Sequence, residues 1–262
     1  MPLDIDRYAH LDSPIQRWDP RLKIASLGLF VLAVSLLQTL PLAALGLALG
    51  LLWLRAAALP WGFVAQGVRW VLLFLFPFFL ILPVSYPGEP DLHLLGLPFA
   101  WEGLRLAVLI TLKALAIVLT AYAMFGTSRF DLSMQALERL GAPKVLVQMI
   151  LFTYRYVFVF LAEMRRKDTA MRARGFVKRA DRRTMQVMGH FVGTLLVRSF
   201  ERTERIYKAM LSKGYTGELR TLVRFRADGG DWAKAAAVLA LAALLLGADL
   251  AGPFHAAEQG WF

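Results

Sequence analysis

Two hexapeptides hold the residues best suited to meet another molecule. They are Met171-Arg172-Ala173-Arg174-Gly175-Phe176 and Met210-Leu211-Ser212-Lys213-Gly214-Tyr215. In each, a cation is followed by Gly and then by an aromatic residue. The last carbonyls of a helix lack internal partners, and a Gly just past the end can take the left-handed conformation that caps them. A cation in the last turn is favoured by the negative end of the helix dipole. Either site alone is therefore explained as a helix stop. The pairing says more. Phe176 and Tyr215 lie just beyond the stops, in a stretch with little core to hide them. The two sites read as helix tips that plug into a partner.

No other stretch has a catalytic pattern. His10, His93, His190 and His255 are scattered singly, without the spacing of a metal site. The chain has no cysteine, so it offers no disulfide framework, thiol nucleophile or thiolate metal site. Asp4 and Asp6 read as solvated charges rather than a carboxylate pair. No Gly-x-x-x-x-Gly-Lys-Ser/Thr phosphate loop occurs, so ATP hydrolysis would have to come from another chain. No catalytic residue, cofactor or metal site is expected. Lys113 lies within an apolar run, which calls for a polar partner or a water-lined position.

The elements that must position these residues are membrane helices. Of 262 residues, 58% are hydrophobic and only 19% charged, with mean hydropathy +0.53. Long apolar runs predict an all-α polytopic membrane protein. Five spans are expected, at 24–40, 42–59, 70–84, 103–125 and 232–250, with a kink at Pro77. The loop at 86–100 is rich in Pro and Gly and carries Glu89 and Asp91. Residues 130–140 predict a short amphipathic helix. The division expected is a cytoplasmic segment at 1–23, a four-span bundle at 24–125, a cytoplasmic module at 126–231 bearing both tips, and a last span with a short external tail at 232–262. Residues 1–23 lack the apolar core of a signal peptide and are expected to remain in the mature protein.

Charge decides the orientation. Residues 163–228 hold 17 of the 30 Lys and Arg against seven Asp and Glu, a net +10 of the chain's +11. A basic block points to nucleic acid, anionic lipid or an acidic protein partner. No nucleic-acid module accompanies it, so nucleic acid ranks last. In a membrane protein the block marks the cytoplasmic side. Residues 144–164 are apolar and long enough to span, but a span there would put those cations outside. They are expected to lie along or dip into the inner face, in a helix of about 45 Å that runs on to Gly175 at 1.5 Å per residue. The second tip ends a helix expected at 190–213. Its apolar stripe includes Val192, Leu196, Phe200, Ile206, Tyr207 and Met210. Glu201 with Arg205, and Glu204 with Lys208, are spaced as stabilising pairs.

The chain resembles the transmembrane T component of energy-coupling factor (ECF) transporters, and specifically the CbiQ family of cobalt uptake. The likeness rests on Asp6-Arg7-Tyr8-Ala9, Ser13-Pro14 and Trp18-Asp19-Pro20-Arg21-Leu22-Lys23. It continues in Arg198-Ser199-Phe200-Glu201-Arg202 and on to Tyr215. The family's paired Ala-Arg-Gly signatures map onto Ala173-Arg174-Gly175 and Ser212-Lys213-Gly214. The second departs at two of three positions, and Lys213 lacks the planar fork of Arg. The resemblance implies two ATPase subunits that hydrolyse ATP and dock on the tips. It also implies a small membrane S component that binds the metal ion, cobalt or nickel, in the bacterial or archaeal plasma membrane. The alternatives are a membrane enzyme acting on lipid or isoprenoid, and a channel or structural protein whose basic face binds anionic lipid.

The topology is testable. A reporter after Phe262 should lie outside and one near Arg182 in the cytoplasm. Finding both on one side would restore 144–164 as a span.

Overall fold

The computed structural model describes residues 13–85, 92–94, 97–217, 223 and 225–251. Asp6-Arg7-Tyr8-Ala9, Glu89, Asp91 and the tail beyond 251 lie outside the described residues. The fold is all-α, with one short hairpin. Helices α1 (Pro20–Leu36), α2 (Leu40–Ala56) and α3 (Trp61–Ser85) come first. Strands β1 (Leu92–Leu94) and β2 (Leu97–Phe99) pair antiparallel within the expected loop. Then come α4 (Trp101–Gly126), α5 (Phe130–Arg139), α6 (Lys144–Ala173), α7 (Arg182–Ser212) and α8 (Gly229–Ala251).

Two starts differ from the sequence expectation. Helix α3 begins nine residues before 70, because the Pro60 carbonyl accepts the amides of Phe63 and Val64 and opens the helix there. Arg69 therefore sits within α3, its guanidinium 5.8 Å from the Trp70 ring centre. Helix α7 begins eight residues before 190. Asp181 caps it by accepting the Thr184 amide at 2.7 Å, and Thr184 holds that carboxyl below its usual range.

The chain divides into two compact units. One is Ala142–Val223; the other comprises the described residues of Asp4–Gly141 and Arg224–Phe262. Helix α5 belongs with the second, because it packs on α1. In that unit α4 packs against α1, α2 and α3, and α8 packs against α1. Gly50 brings α2 close to α4; a Cβ there would lie 3.1 Å from the Ala116 carbonyl oxygen. The core gathers Leu27, Phe30 and Val34 of α1 with Val238 and Leu245 of α8. The outward side chains are just as apolar. Phe74 is 73% exposed and Leu80 70%, as expected for a surface that meets lipid rather than water. Helices α3, α4, α6 and α8 are long and apolar enough to cross a membrane, and α2 is apolar but shorter.

Polar groups of two helices, α4 and α8, converge on the α1–α2 turn. The Lys113 ammonium of α4 donates to the Leu37 carbonyl at the end of α1, at 2.6 Å. Asp249 of α8 accepts from the Gln38 amide at 2.9 Å, the Thr39 amide at 3.1 Å and the Thr39 hydroxyl at 2.7 Å. Asp249 is buried. The cation thus meets a helix C-terminus and the carboxylate a helix N-terminus, the arrangement the helix dipole favours. Lys113 has the polar partner its position requires.

The expected consequence is a coupled pair. Lys113→Leu leaves the Leu37 carbonyl without its donor and should destabilise the membrane unit by roughly 1–3 kcal/mol. Asp249→Asn should cost less than Asp249→Ala, because the amide keeps one acceptor. Thermal unfolding in detergent reads both. A Lys113→Leu chain of unchanged stability would mean the hydrogen bond to Leu37 carries no energy.

Candidate functional site

Both tips end in the same backbone motif. Helix α6 stops at Ala173, with Arg174 as cap and Gly175 at φ +78°. The Phe176 amide donates to the Met171 carbonyl at 3.0 Å, and the Gly175 amide to the Arg172 carbonyl at 2.9 Å. Helix α7 stops at Ser212, with Lys213 as cap and Gly214 at φ +80°. There the Tyr215 amide donates to Met210 at 3.0 Å and the Gly214 amide to Leu211 at 2.9 Å. These are two Schellman caps, matched bond for bond. The hexapeptide repeat in the sequence is this motif, with Met first, the cation as cap, Gly next and the aromatic closing the ring.

The cap relieves the cation of any need to satisfy helix carbonyls. Arg174 and Lys213 are both exposed, and neither forms an ion pair among the described residues. The surrounding cations differ. Asp168 takes both Arg172 and Lys178 at 2.9 Å, closing the chain across the Gly175 turn. Lys178 and Arg172 hold the Asp168 carboxyl below its usual range against partial desolvation. A carboxylate shifted this way is charged at neutral pH, and its contribution fades as pH falls through the folded value.

The aromatics behave differently from the expectation that they lack cover. Phe176 and Tyr215 are half-buried. Tyr215 donates its hydroxyl to the Gln148 side chain at 3.1 Å. Its ring lines an apolar groove of about 460 Å³ together with Phe152, Tyr156, Ile206 and Met210. Both aromatics are partly covered while Arg174 and Lys213 are exposed, so the outward element of each tip is the cation.

Helices α6 and α7 run antiparallel. Gln148 meets Tyr215; Glu163 meets Arg198 at 3.5 Å and Arg202 at 3.8 Å; the Lys167 ammonium lies 6.0 Å from the Phe191 ring centre. The tips therefore stand at opposite ends of the pair. From Gln148 to Arg174 the helix covers about 39 Å at 1.5 Å per residue. Glu204 pairs with Lys208 at 2.8 Å as its spacing predicted. Glu201 and Arg205 form no such pair. Glu163 is the residue sequence reasoning missed, since its partners lie more than thirty residues away.

Among the described residues, no three or more His, Asp or Glu converge as a metal site would require. A family model described as "Cobalt transport protein", CbiQ, matches residues 12–223. The chain is 28% identical over 261 residues to the energy-coupling factor transporter transmembrane protein EcfT of Bacillus subtilis. That match covers 92% of this chain and 96% of that protein. It is 26% identical over 248 residues to the EcfT of Heliobacterium modesticaldum, covering 90% and 93%. It is 27% identical over 171 residues to the cobalt transport protein CbiQ of Rhodobacter capsulatus, covering 65% and 62%.

The caps predict a clean glycine dependence. A Cβ at Gly175 or Gly214 would meet nothing within 4 Å, so substitution acts through backbone strain alone. Ala at either position should cost about 1–2 kcal/mol of helix-end stability. Asn, which tolerates the left-handed region, should cost less. Amide exchange at 174–176 and 213–215 measures this. Equal protection in Gly and Ala chains would refute the shared cap.

Proposed function

The chain belongs to the CbiQ family of cobalt transport proteins, and on that premise we propose that it is the T component of an energy-coupling factor importer for cobalt or nickel. It is a polytopic membrane protein built to couple rather than to catalyse. In this reading two ATPase subunits bind and hydrolyse ATP, and a membrane S component binds the ion. The T component passes the ATPase motion to the S component. The N-terminus and the module with both tips face the cytoplasm, and the last span leads outward, as the positive-inside rule requires of so basic a segment.

One observation carries this reading. An outward cation, Arg174 or Lys213, stands on the same Schellman cap at each end of an antiparallel helix pair. Two identical or similar partners, each with an acidic groove, would take one tip apiece. The basic block is then more than a lipid-binding face, because a lipid surface needs charge but no repeated cap. Arg174 is the stronger anchor, since its planar fork can hold a carboxylate with two parallel hydrogen bonds and Lys213 cannot.

Four variants test it. Removing one partner of a buried charge pair costs roughly 3–5 kcal/mol, whereas an exposed pair is worth at most about 1 kcal/mol. Arg174→Ala should therefore strip ATPase subunits from the complex or uncouple hydrolysis from ion uptake, with the chain still folded in the membrane. Lys213→Ala should act in the same direction and more weakly. Arg182→Ala and Arg183→Ala, exposed at the start of α7, should change little. Equal small effects in all four would make the segment a diffuse charge patch and end the two-tip reading.

A further inference from the structure

The stretch Trp18-Asp19-Pro20-Arg21-Leu22-Lys23 takes no part in the tips, yet four of its residues reach distant points of the chain. Residues 142–223 join the membrane unit through two connections, one leaving after Gly141 and one returning at Arg224. The stretch holds the α4–α5 turn ahead of the first and Phe225 and Asp231 just after the second.

On the outgoing side, the Lys23 ammonium donates to the Thr127 hydroxyl at 3.1 Å, to the Ser128 hydroxyl and to the Ile15 carbonyl at 3.4 Å. Thr127 and Ser128 form the turn from α4 into α5, and α5 itself packs on α1. On the returning side, the Arg21 guanidinium lies 5.2 Å from the Phe225 ring centre. The Trp18 indole donates to the Asp231 carbonyl at 3.2 Å, and the Asp19 amide to the Asp231 carboxylate at 3.3 Å. Asp19 in turn holds Arg21 at 2.9 Å.

The chemistry of Lys23 is the telling part. It is 0% exposed and meets only neutral acceptors. A buried ammonium without a carboxylate is costly, and an apolar residue of similar size would pack at less expense. Two of its three directed hydrogen bonds, however, fix the α4–α5 turn at one place on α1, where an apolar contact could slide. Helix α1 in turn packs on α4, α5 and α8.

We propose that Trp18–Lys23 is a root clamp. Its residues are positioning residues that tie both connections to α1, so that displacement of residues 142–223 reaches α4 and α8 instead of being absorbed in the connections. The proposal rests on the T-component reading.

The test uses the full transporter, with its ATPase and S subunits, reconstituted in vesicles. Three quantities are read: co-purification of the ATPase subunits, ATP hydrolysis, and Co²⁺ or Ni²⁺ uptake per ATP. Lys23→Met and Phe225→Ala should keep the ATPase subunits and their hydrolysis while uptake per ATP falls by about tenfold or more, the scale of one lost charge-assisted contact. Phe225→Tyr keeps a ring under Arg21 and should restore coupling. If Lys23→Met fails to fold, the Phe225 pair decides alone. Uptake and hydrolysis that fall in proportion, or an Ala chain that couples as well as Tyr, would overturn the clamp. Failure of the underlying reading looks different, since the unmodified chain would then bring down no ATPase.

Discussion

Every helix end leaves carbonyls or amides without partners, and in a bilayer no water is at hand to take them. How this chain meets that constraint accounts for three of its charged residues, Lys113, Asp231 and Asp249. Leu37 at the end of α1 receives Lys113, while Gln38 and Thr39 at the start of α2 give their amides to Asp249. Asp231 does the same at the start of α8, accepting from the amides of Asp19 and Asp228. Each charge sits where the helix dipole has the opposite sign. A charge in an apolar bundle is thus not an exception to the fold. It is what fixes one helix end against the flank of another, and α4 and α8 are both pinned to the same turn.

Outside the bundle the same constraint is met with backbone alone. At the two tips, Gly175 and Gly214 let the chain turn back so that amides reach the last carbonyls. No side chain is used, and so the caps Arg174 and Lys213 remain outward. The acids close by are already engaged, Asp168 with Arg172 and Lys178, and Glu163 with Arg198 and Arg202. A cation left unpaired by a cap that does not need it is a group free to meet another chain.

Local features were readable from sequence, and remote ones were not. The helix stops at 175 and 214 and the short amphipathic α5 depend on neighbours within a few residues, so composition and spacing reveal them. The apolar runs revealed the membrane helices, though α3 starts at Trp61 because a proline opened it earlier than the run suggested. Asp249 and Asp231 were hidden within an expected span and at its edge. Their partners in 18–39 lie roughly two hundred residues away, and no periodicity points to a capping contact of that separation. Tyr215 was misjudged for a related reason. Its cover comes from Gln148 on the other helix, not from its own sequence neighbourhood.

The unit that carries the tips has almost no core. Val147 is the one buried residue of α6, and α7 has none. Hydrophobic burial, the usual source of stiffness, cannot be what keeps the tips apart. The separation is set instead by the length of a continuous helix, whose hydrogen bonds are all internal and do not depend on packing. What remains to be fixed is the register of one rod against the other, and that takes few contacts: Glu163 holding two arginines near the middle, and Tyr215 holding Gln148 at one end. Each cap is made within its own helix end, so the geometry that presents each cation does not depend on that register. A densely packed module of the same size would be stiffer, but its motion would require breaking a core. Two rods joined by a few polar contacts have no such core to break.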